Sequence, residues 1–337
     1  MTTSAYSHCA YTQKVRKFAN MMTARGHEVF LYAGEDNEAD CIEHIVCITK
    51  DEQAANGFHG PQDYQGIQWE AEQPYFQIFN DRAIAAMRDR IQPEDFICLI
   101  TSWPNAPIVQ AFPNNMAVEY GIGYKGTMTN YLVFESYAWR NFVYGRKDSE
   151  GNFFHEVIPN YFEVDEFPFG PEKDDYFLFI GRLNFDKGYQ VAIDTCRAIG
   201  AKLKVAGAGN PPDYGEYVGV VGPEERGELM ARARAVFVPT IYVGPFEGVH
   251  VEAMLCGTPV ITSDWGVFPE TVVNGFNGYR CTMMREFIAA AQAVDSLDYA
   301  AIRNDAIAKY STEAIAPRYE RYFDRLATLR SDGFYAA

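Results

Sequence analysis

Residues 244–278 read GPFEGVHVEAMLCGTPVITSDWGVFPETVVNGFNG. Pro245 to Gly248 is a turn-rich loop. Val249, Val251, Ala253, Met254 and Leu255 then give a short apolar helix with Glu252 near its start. Backbone N–H groups at a helix start attract anions. A carboxylate one turn further in accepts hydrogen bonds from vicinal hydroxyls, so neighbouring parts of one element suit phosphates and a ribose. Thr258 to Thr262 (TPVIT) is a continuous β-branched run after a glycine, the pattern of a strand covered on both faces. The following Ser263, Asp264, Trp265 and Gly266 leave its carboxyl end, where open α/β sheets bind ligands. The plainer alternative is an ordinary helix, strand and loop of a parallel sheet, with Glu252 a solvated or capping acid.

A second cluster shifts that balance. Tyr176 to Ile180 (YFLFI) is a buried strand, followed at once by Gly181 to Gly188 (GRLNFDKG) and an amphipathic helix from about Tyr189 to Ile199. Arg182 and Lys187 project from the strand-to-helix turn. A planar fork of donors and a compact positive charge together suit a departing diphosphate. Either residue alone reads as a solvated loop cation. The spacing Gly-Arg-Leu, three residues, Lys-Gly is far more specific. Lys202 to Gly209 (LKVAGAG after Lys202) supplies the next strand, ending in small residues.

In these motifs the chain resembles the retaining glycosyltransferases of family 4, which have the GT-B fold. Gly181 to Gly188 is similar to the family's pyrophosphate-binding motif. Val157 to Asn160 (VIPN), continued by Asp165 and Phe167, resembles its interdomain strand and linker. Val236 to Pro239 (VFVP) resembles the short strand before the donor loop. The likeness runs in register from about residue 157 to 281 and thins out in the N-terminal half. It implies an α/β chain of two doubly wound, Rossmann-like domains facing a cleft. The expected divisions are 1–158 on the acceptor side, 159–310 on the nucleotide-sugar side, and a helix at 311–337 that crosses back to the first domain.

The N-terminal half begins unusually for such a domain. Val15, Phe18, Met21 and Met22 mark one face of a helix from about Thr12 to Arg25, and Gly26 stops it before a strand from Glu28 to Ala33. A doubly wound domain places a buried strand ahead of its first helix. Here only Met1 to Cys9 (MTTSAYSHC) precede it, so the expectation is a missing first strand, with Met1 an internal methionine of a longer product, or else a rearranged sheet. Asp95 to Ile100 reads as a buried strand. Met116 to Glu119 leads into a glycine-rich loop, and Phe134 to Trp139 has helical character. The polar stretch from Cys47 to Pro74 reads as a long loop whose Phe58, Tyr64 and Trp69 anchor it or stack on a sugar.

Family resemblance assigns the site residues. The leaving diphosphate takes the acceptor's proton on its own face, and the protein stabilises departing charge and positions two substrates. Arg182 and Lys187 would carry the first duty. Gly181, Val221, Glu247, Gly248, Val249 and Glu252 complete the donor site, with Glu252 on the ribose and the loop around Val220 to Pro223 beside the base. The family has two glutamates separated by seven residues, and counting back from Glu252 lands on Gly244. Glu247 either substitutes from a shifted loop or is solvated. His8, Glu119, Tyr120 and His250 are further candidates for the reacting centre, each with a plain packing or surface alternative.

Composition bounds the partners. The chain has 337 residues, 48% hydrophobic, enough for two cores. With 29 Lys and Arg against 45 Asp and Glu the net charge is −16, which opposes a phosphate backbone as partner. An acceptor on modified DNA stays open, as do a non-catalytic sugar-nucleotide binder and a GT-B epimerase. Neither an apolar run of spanning length nor a secretory leader is apparent. Seven cysteines sit mostly in apolar runs, so free, buried thiols and a cytoplasmic setting are expected. A nucleotide-diphosphate sugar is the expected donor substrate; no cofactor or metal is expected, because no acidic pair stands where a metal is needed.

Overall fold

The computed structural model describes residues 2–6, 9–60 and 68–331. The chain divides into two compact units. The first comprises Met1–Phe134, Val143–Ile158 and Ala316–Ala337; the second comprises Glu135–Phe142 and Pro159–Ile315.

In the first unit the apolar stripe of α1 (Ala10–Ala24) buries Phe18, Met21 and Met22, and Gly26 at φ +88° turns the chain out of the helix. Strands β1 (Phe30–Gly34) and β2 (Glu43–Ile48) pair in parallel. Helices α2 (Lys50–Ala55) and α3 (Pro74–Arg88) follow, then β3 (Phe96–Leu99), α4 (Ala106–Ala111), β4 (Met116–Ile122), β5 (Tyr131–Phe134), α5 (Tyr137–Lys147), whose residues up to Phe142 belong to the second unit, and β6 (Glu156–Val157). The strands form two all-parallel sheets, β1-β2 and β3-β4-β5-β6.

Three elements depart from the sequence reading. Within the polar stretch after Cys47, Thr49 and Glu52 satisfy each other's backbone N–H groups in a capping box, and Arg82 forks onto Glu52 at 2.6 Å, so a helix forms where a loop was expected. β4 runs on through Gly121 to Ile122 because Tyr120 and Ile122 are buried, which leaves Glu119 inside the strand rather than at its end. Phe134 completes β5, and the helix begins at Tyr137 after the Ser136 hydroxyl accepts the Trp139 N–H. The loop aromatics pack on the fold: Phe58 lies edge-on to Tyr75, and Trp69 lies against Tyr11 and Phe76. Tyr64 falls outside the described residues.

The second unit is one six-stranded parallel sheet, built from β7 (Phe177–Ile180), β8 (Leu203–Ala206), β9 (Glu216–Gly219), β10 (Val236–Val238), β11 (Val260–Ser263) and β12 (Gly278–Cys281) in the order β12-β11-β10-β7-β8-β9. Every residue of β7 is buried, and its alternation feeds two cores. Leu178 and Ile180 join the face that includes Val251 and Met254 of α8 (Val249–Leu255) and Met230 of α7 (Pro223–Arg232). Phe177 and Phe179 join the face that includes Ile193 of α6 (Tyr189–Ile199) and Phe287 of a helix at Met284–Ala293. Burying each such side chain contributes roughly 1.5–3 kcal/mol, so this strand anchors the unit.

The final helix, Thr312–Ser331, contributes Tyr319 and Phe323 to the first unit, where both meet Phe18 and Phe323 also meets Phe96. Among the described residues no helix is long and apolar enough to cross a membrane. All seven cysteines are free; Cys41 is half-buried and Cys98 is exposed, contrary to the expectation for its apolar run.

His250 is fully buried between Phe246 and Phe268. Burial, against the opposing pull of the Glu247 carbonyl, lowers its imidazole to about 4. With the folded value below the unfolded one, this contribution to stability is complete above about pH 6.5 and is lost as the pH falls toward 4. Thermal unfolding across that window tests the assignment: the melting temperature of His250→Gln should fall less steeply with acidification than that of the parent. Equal slopes would contradict it.

Candidate donor site in the second unit

The site starts where β7 ends. After Gly181, the turn is fastened by Asn184, whose side-chain oxygen accepts the Lys187 N–H at 3.0 Å. Gly188 follows at φ +69°, and a Cβ there would overlap the Pro239 carbonyl, so glycine is required for both conformation and space. This turn aims Lys187 at Glu247. Its ammonium forms an ion pair with Oε2 of Glu247 and lies 5.1 Å from the centre of the Tyr242 ring. Burial works against the ammonium, but the Glu247 carboxylate and Tyr242 outweigh it and hold Lys187 above its ordinary value. Arg182, by contrast, is exposed, and its guanidinium has no hydrogen-bond or ion-pair partner among the described residues.

Glu247 is held in an uncommon backbone conformation, φ +59°. A non-glycine residue there costs about 1–2 kcal/mol, which its surroundings must offset. His250 supplies part of that restraint: its Nδ1 stands 2.6 Å from the Glu247 carbonyl oxygen and its backbone N–H donates to the same atom at 3.3 Å. The hydroxyl of Thr240 reaches the carboxylate at 3.4 Å. A Cβ built on Gly244 would overlap Oε1 of Glu247. The carboxylate therefore fills the space in which a side chain at 244 would begin.

Glu252 has a different partner. Its Oε2 lies 3.3 Å from Nε of Arg226 on α7, yet the two do not align as a hydrogen bond, and both atoms are buried without one. That oxygen retains its accepting capacity. In the first turn of α8 the N–H groups of His250, Val251 and Glu252 already donate to the carbonyls of Glu247 and Gly248. Those of Gly248 and Val249 have no such acceptor among the described residues. Val221 turns its side chain into the core, whereas Val220 beside it is exposed.

Within the second unit Lys187 and Glu247 meet directly, Glu252 stands beside Arg226, and Arg182 is exposed on the turn that leads to Lys187. Glu119 belongs to the first unit, where it is fully buried and accepts from the Tyr124 hydroxyl at 2.6 Å and from the Met128 and Thr129 N–H groups at 2.6 and 2.7 Å. His8 lies outside the described residues. Tyr242, Thr240 and Arg226 were not singled out by sequence: Arg226 sits in the polar run PEERGELMAR with nothing to separate it from its neighbours. Glu270 was missed as well; its carboxylate receives the N–H groups of Tyr137 at 2.9 Å and Ala138 at 2.7 Å, the first turn of α5.

Residues 174–297 match the family model for glycosyl transferases group 1. A glycogen synthase of Mycobacterium tuberculosis is 30% identical over an alignment covering 54% of this chain and 48% of that protein. The chain thus spans about half the length of that relative. A phosphatidyl-myo-inositol mannosyltransferase of Mycobacterium leprae is 24% identical, with 93% of this chain and 92% of that protein covered. Among solved structures, AviGT4, a glycosyltransferase involved in avilamycin A biosynthesis, superposes with a TM-score of 0.69 at 19% identity, covering 94% of this chain and 90% of its own. Residues 174–297 are thus similar to the glycosyl transferases of group 1, and the chain shares the GT-B fold of that solved glycosyltransferase.

Proposed function

We propose that the chain transfers a sugar, with retention at the anomeric carbon, from a nucleotide-diphosphate sugar to a hydroxyl acceptor, without a metal ion. The observation that carries this reading is the pair of cations after β7, one free and exposed at Arg182, the other held in place at Lys187. As the glycosidic bond breaks, negative charge grows on the leaving phosphate. Lys187, held in place by Glu247, stabilises it without reorganising, and Arg182 swings onto it from the exposed turn. Two cations supply the charge that a divalent metal supplies elsewhere, so none is required. Lys187 meets the diphosphate while remaining tethered to Glu247, and the N–H groups of Gly248 and Val249 offer further donors. The partly exposed Glu252 carboxylate accepts from a ribose hydroxyl.

Glu247 takes the sugar-facing position that Gly244 vacates, because its carboxylate stands in that space. Glu119, with three donors already on its carboxylate, serves to hold the 124–129 loop rather than to move a proton. The acceptor is a hydroxyl-bearing molecule met in the cytoplasm. A non-catalytic sugar-nucleotide binder is the second reading, favoured by one fact: Lys187 is already neutralised by Glu247. Turnover of the donor with any acceptor, or its hydrolysis, eliminates it.

A thermal-shift screen of nucleotide sugars tests donor binding, since a ligand at a hundred times its Kd adds about 2.7 kcal/mol of stability. No shift with any of them contradicts the donor assignment. Once a donor is known, Arg182→Ala should lower kcat by about a hundredfold or more, and Glu247→Ala by less. Equal losses in two folded variants would show that Glu247 carries as much of the reaction as Arg182. Activity should be unchanged in excess chelator; its loss would contradict the metal-independent mechanism.

A further inference from the structure

Two pairs of opposite charge stand in the second unit's candidate site, and they differ in one respect. Lys187 and Glu247 are joined by a hydrogen bond, whereas Arg226 and Glu252 are close without one. Nε of Arg226 lies 3.3 Å from Oε2 of Glu252, both atoms are buried, and neither has a hydrogen bond among the described residues. What the contact lacks is direction rather than reach. The remaining nitrogens of the Arg226 guanidinium have no hydrogen bond among those residues either, although the side chain is only 28% exposed. Unmatched donors and acceptors at such a place cost stability, and a ligand that completes their bonds removes that cost.

The backbones beneath the two side chains are locked together. A Cβ on Gly227, the residue after Arg226, would come 3.0 Å from Cδ of Pro168, so α7 lies close against the chain there. The Gly227 carbonyl accepts from the Cys256 thiol at 3.7 Å, and the Met230 carbonyl accepts from the Thr258 hydroxyl at 2.6 Å. Cys256 closes α8, its N–H donating to the carbonyl of Glu252 itself at 3.2 Å. With both helices anchored in this way, only the side chains are free to bring the pair into alignment.

The two oxygens of Glu252 are thereby distinguished. Oε2 faces Arg226 and is closed to solvent. Oε1 is not buried, has no hydrogen bond among the described residues, and lies 3.8 Å from the point where a Cβ would stand on Gly248. Because Gly248 has no side chain, that flank of Oε1 is open. The terminal torsion of a glutamate is broad and two-fold, so an untethered carboxylate presents either oxygen. A guanidinium bonded to one oxygen fixes the other.

We propose that Arg226 is the positioning residue for ribose recognition. When the vicinal hydroxyls of a ribose donate to Oε1 of Glu252, the carboxylate turns until Oε2 accepts from Nε of Arg226, and the misaligned pair closes. The inference rests on the assignment of Glu252 to the ribose. Its consequence is discrimination at the sugar of the nucleotide: a ligand with both hydroxyls closes the pair, and one without them leaves two buried polar atoms unmatched. A neutral side chain at 226 leaves Glu252 free to turn, and the ribose loses its advantage.

Calorimetric titration tests this with UDP, ADP and GDP, each beside its 2′,3′-dideoxy form, in the parent chain and in Arg226→Leu and Glu252→Gln. With the diphosphate that binds tightest, the parent should favour the ribose form by about tenfold or more. Arg226→Leu should lower that preference by at least about threefold and leave the affinity for the dideoxy form within about twofold of the parent's. A smaller change in preference, or an equal loss for both ligands, would overturn the proposal. Glu252→Gln separates the two levels of the argument. If it abolishes the preference and Arg226→Leu does not, Glu252 keeps its ribose and Arg226 loses its positioning role. If it leaves the preference intact, or if the parent shows none, the ribose assignment falls and the proposal with it. Binding of none of the three diphosphates overturns the donor reading and everything that rests on it. Should Arg226→Leu fail to fold, Arg226→Gln reads the same ratio, with the same reduction expected and a parental ratio contradicting it.

Discussion

The contact between the Lys187 ammonium and the Glu247 carboxylate fixes the second unit's candidate site. It joins the turn after β7 to the loop before α8, and each side depends on a specific local geometry. On the lysine side, Gly188 alone tolerates both φ +69° and the nearness of the Pro239 carbonyl. On the glutamate side, a left-handed backbone is held by a neutral, buried imidazole. At 19% and 7% exposure for the two side chains, the pair sits where solvent screens it weakly, so removing one partner leaves a costly unpaired charge. The strained backbone at Glu247 and the buried polar side chain at His250 are thus two parts of one device, which presents a carboxylate in the space that Gly244 leaves open.

This device bears directly on what the site discriminates. A carboxylate reaching the donor pocket from position 247 approaches along a different line from one attached at 244. It also remains tied to Lys187, the cation proposed to meet the leaving group. In the proposed mechanism sugar recognition and charge stabilisation would be coupled through one contact, with Glu252, beside Arg226, assigned to the ribose. The exposed Arg182 has no such tether and is free to reorganise on ligand binding.

Legibility in the sequence followed periodicity and spacing. Tyr176 to Ile180 reads as a doubly covered strand because every residue is apolar, and the structure assigns alternate residues to two cores. The turn from Gly181 to Gly188 reads from its residue types because close backbone approach admits glycine. Contacts between separate elements left no such trace. Arg226 comes from a charged helix, Tyr242 from a loop, and Glu270 reaches α5 across more than a hundred residues of chain. The helix at Lys50–Ala55 was hidden for another reason: its ends are satisfied by its own polar side chains, so polarity resembles a loop.

The central claim is that Lys187 receives the donor's diphosphate. Calorimetric titration of a nucleoside diphosphate into the parent chain and into Lys187→Met tests it directly, with folding of the variant checked beforehand. The account predicts at least about tenfold weaker binding in the variant, a loss of about 1.4 kcal/mol, together with a shallower dependence on salt. Equal affinity and equal salt dependence in the two proteins would contradict it.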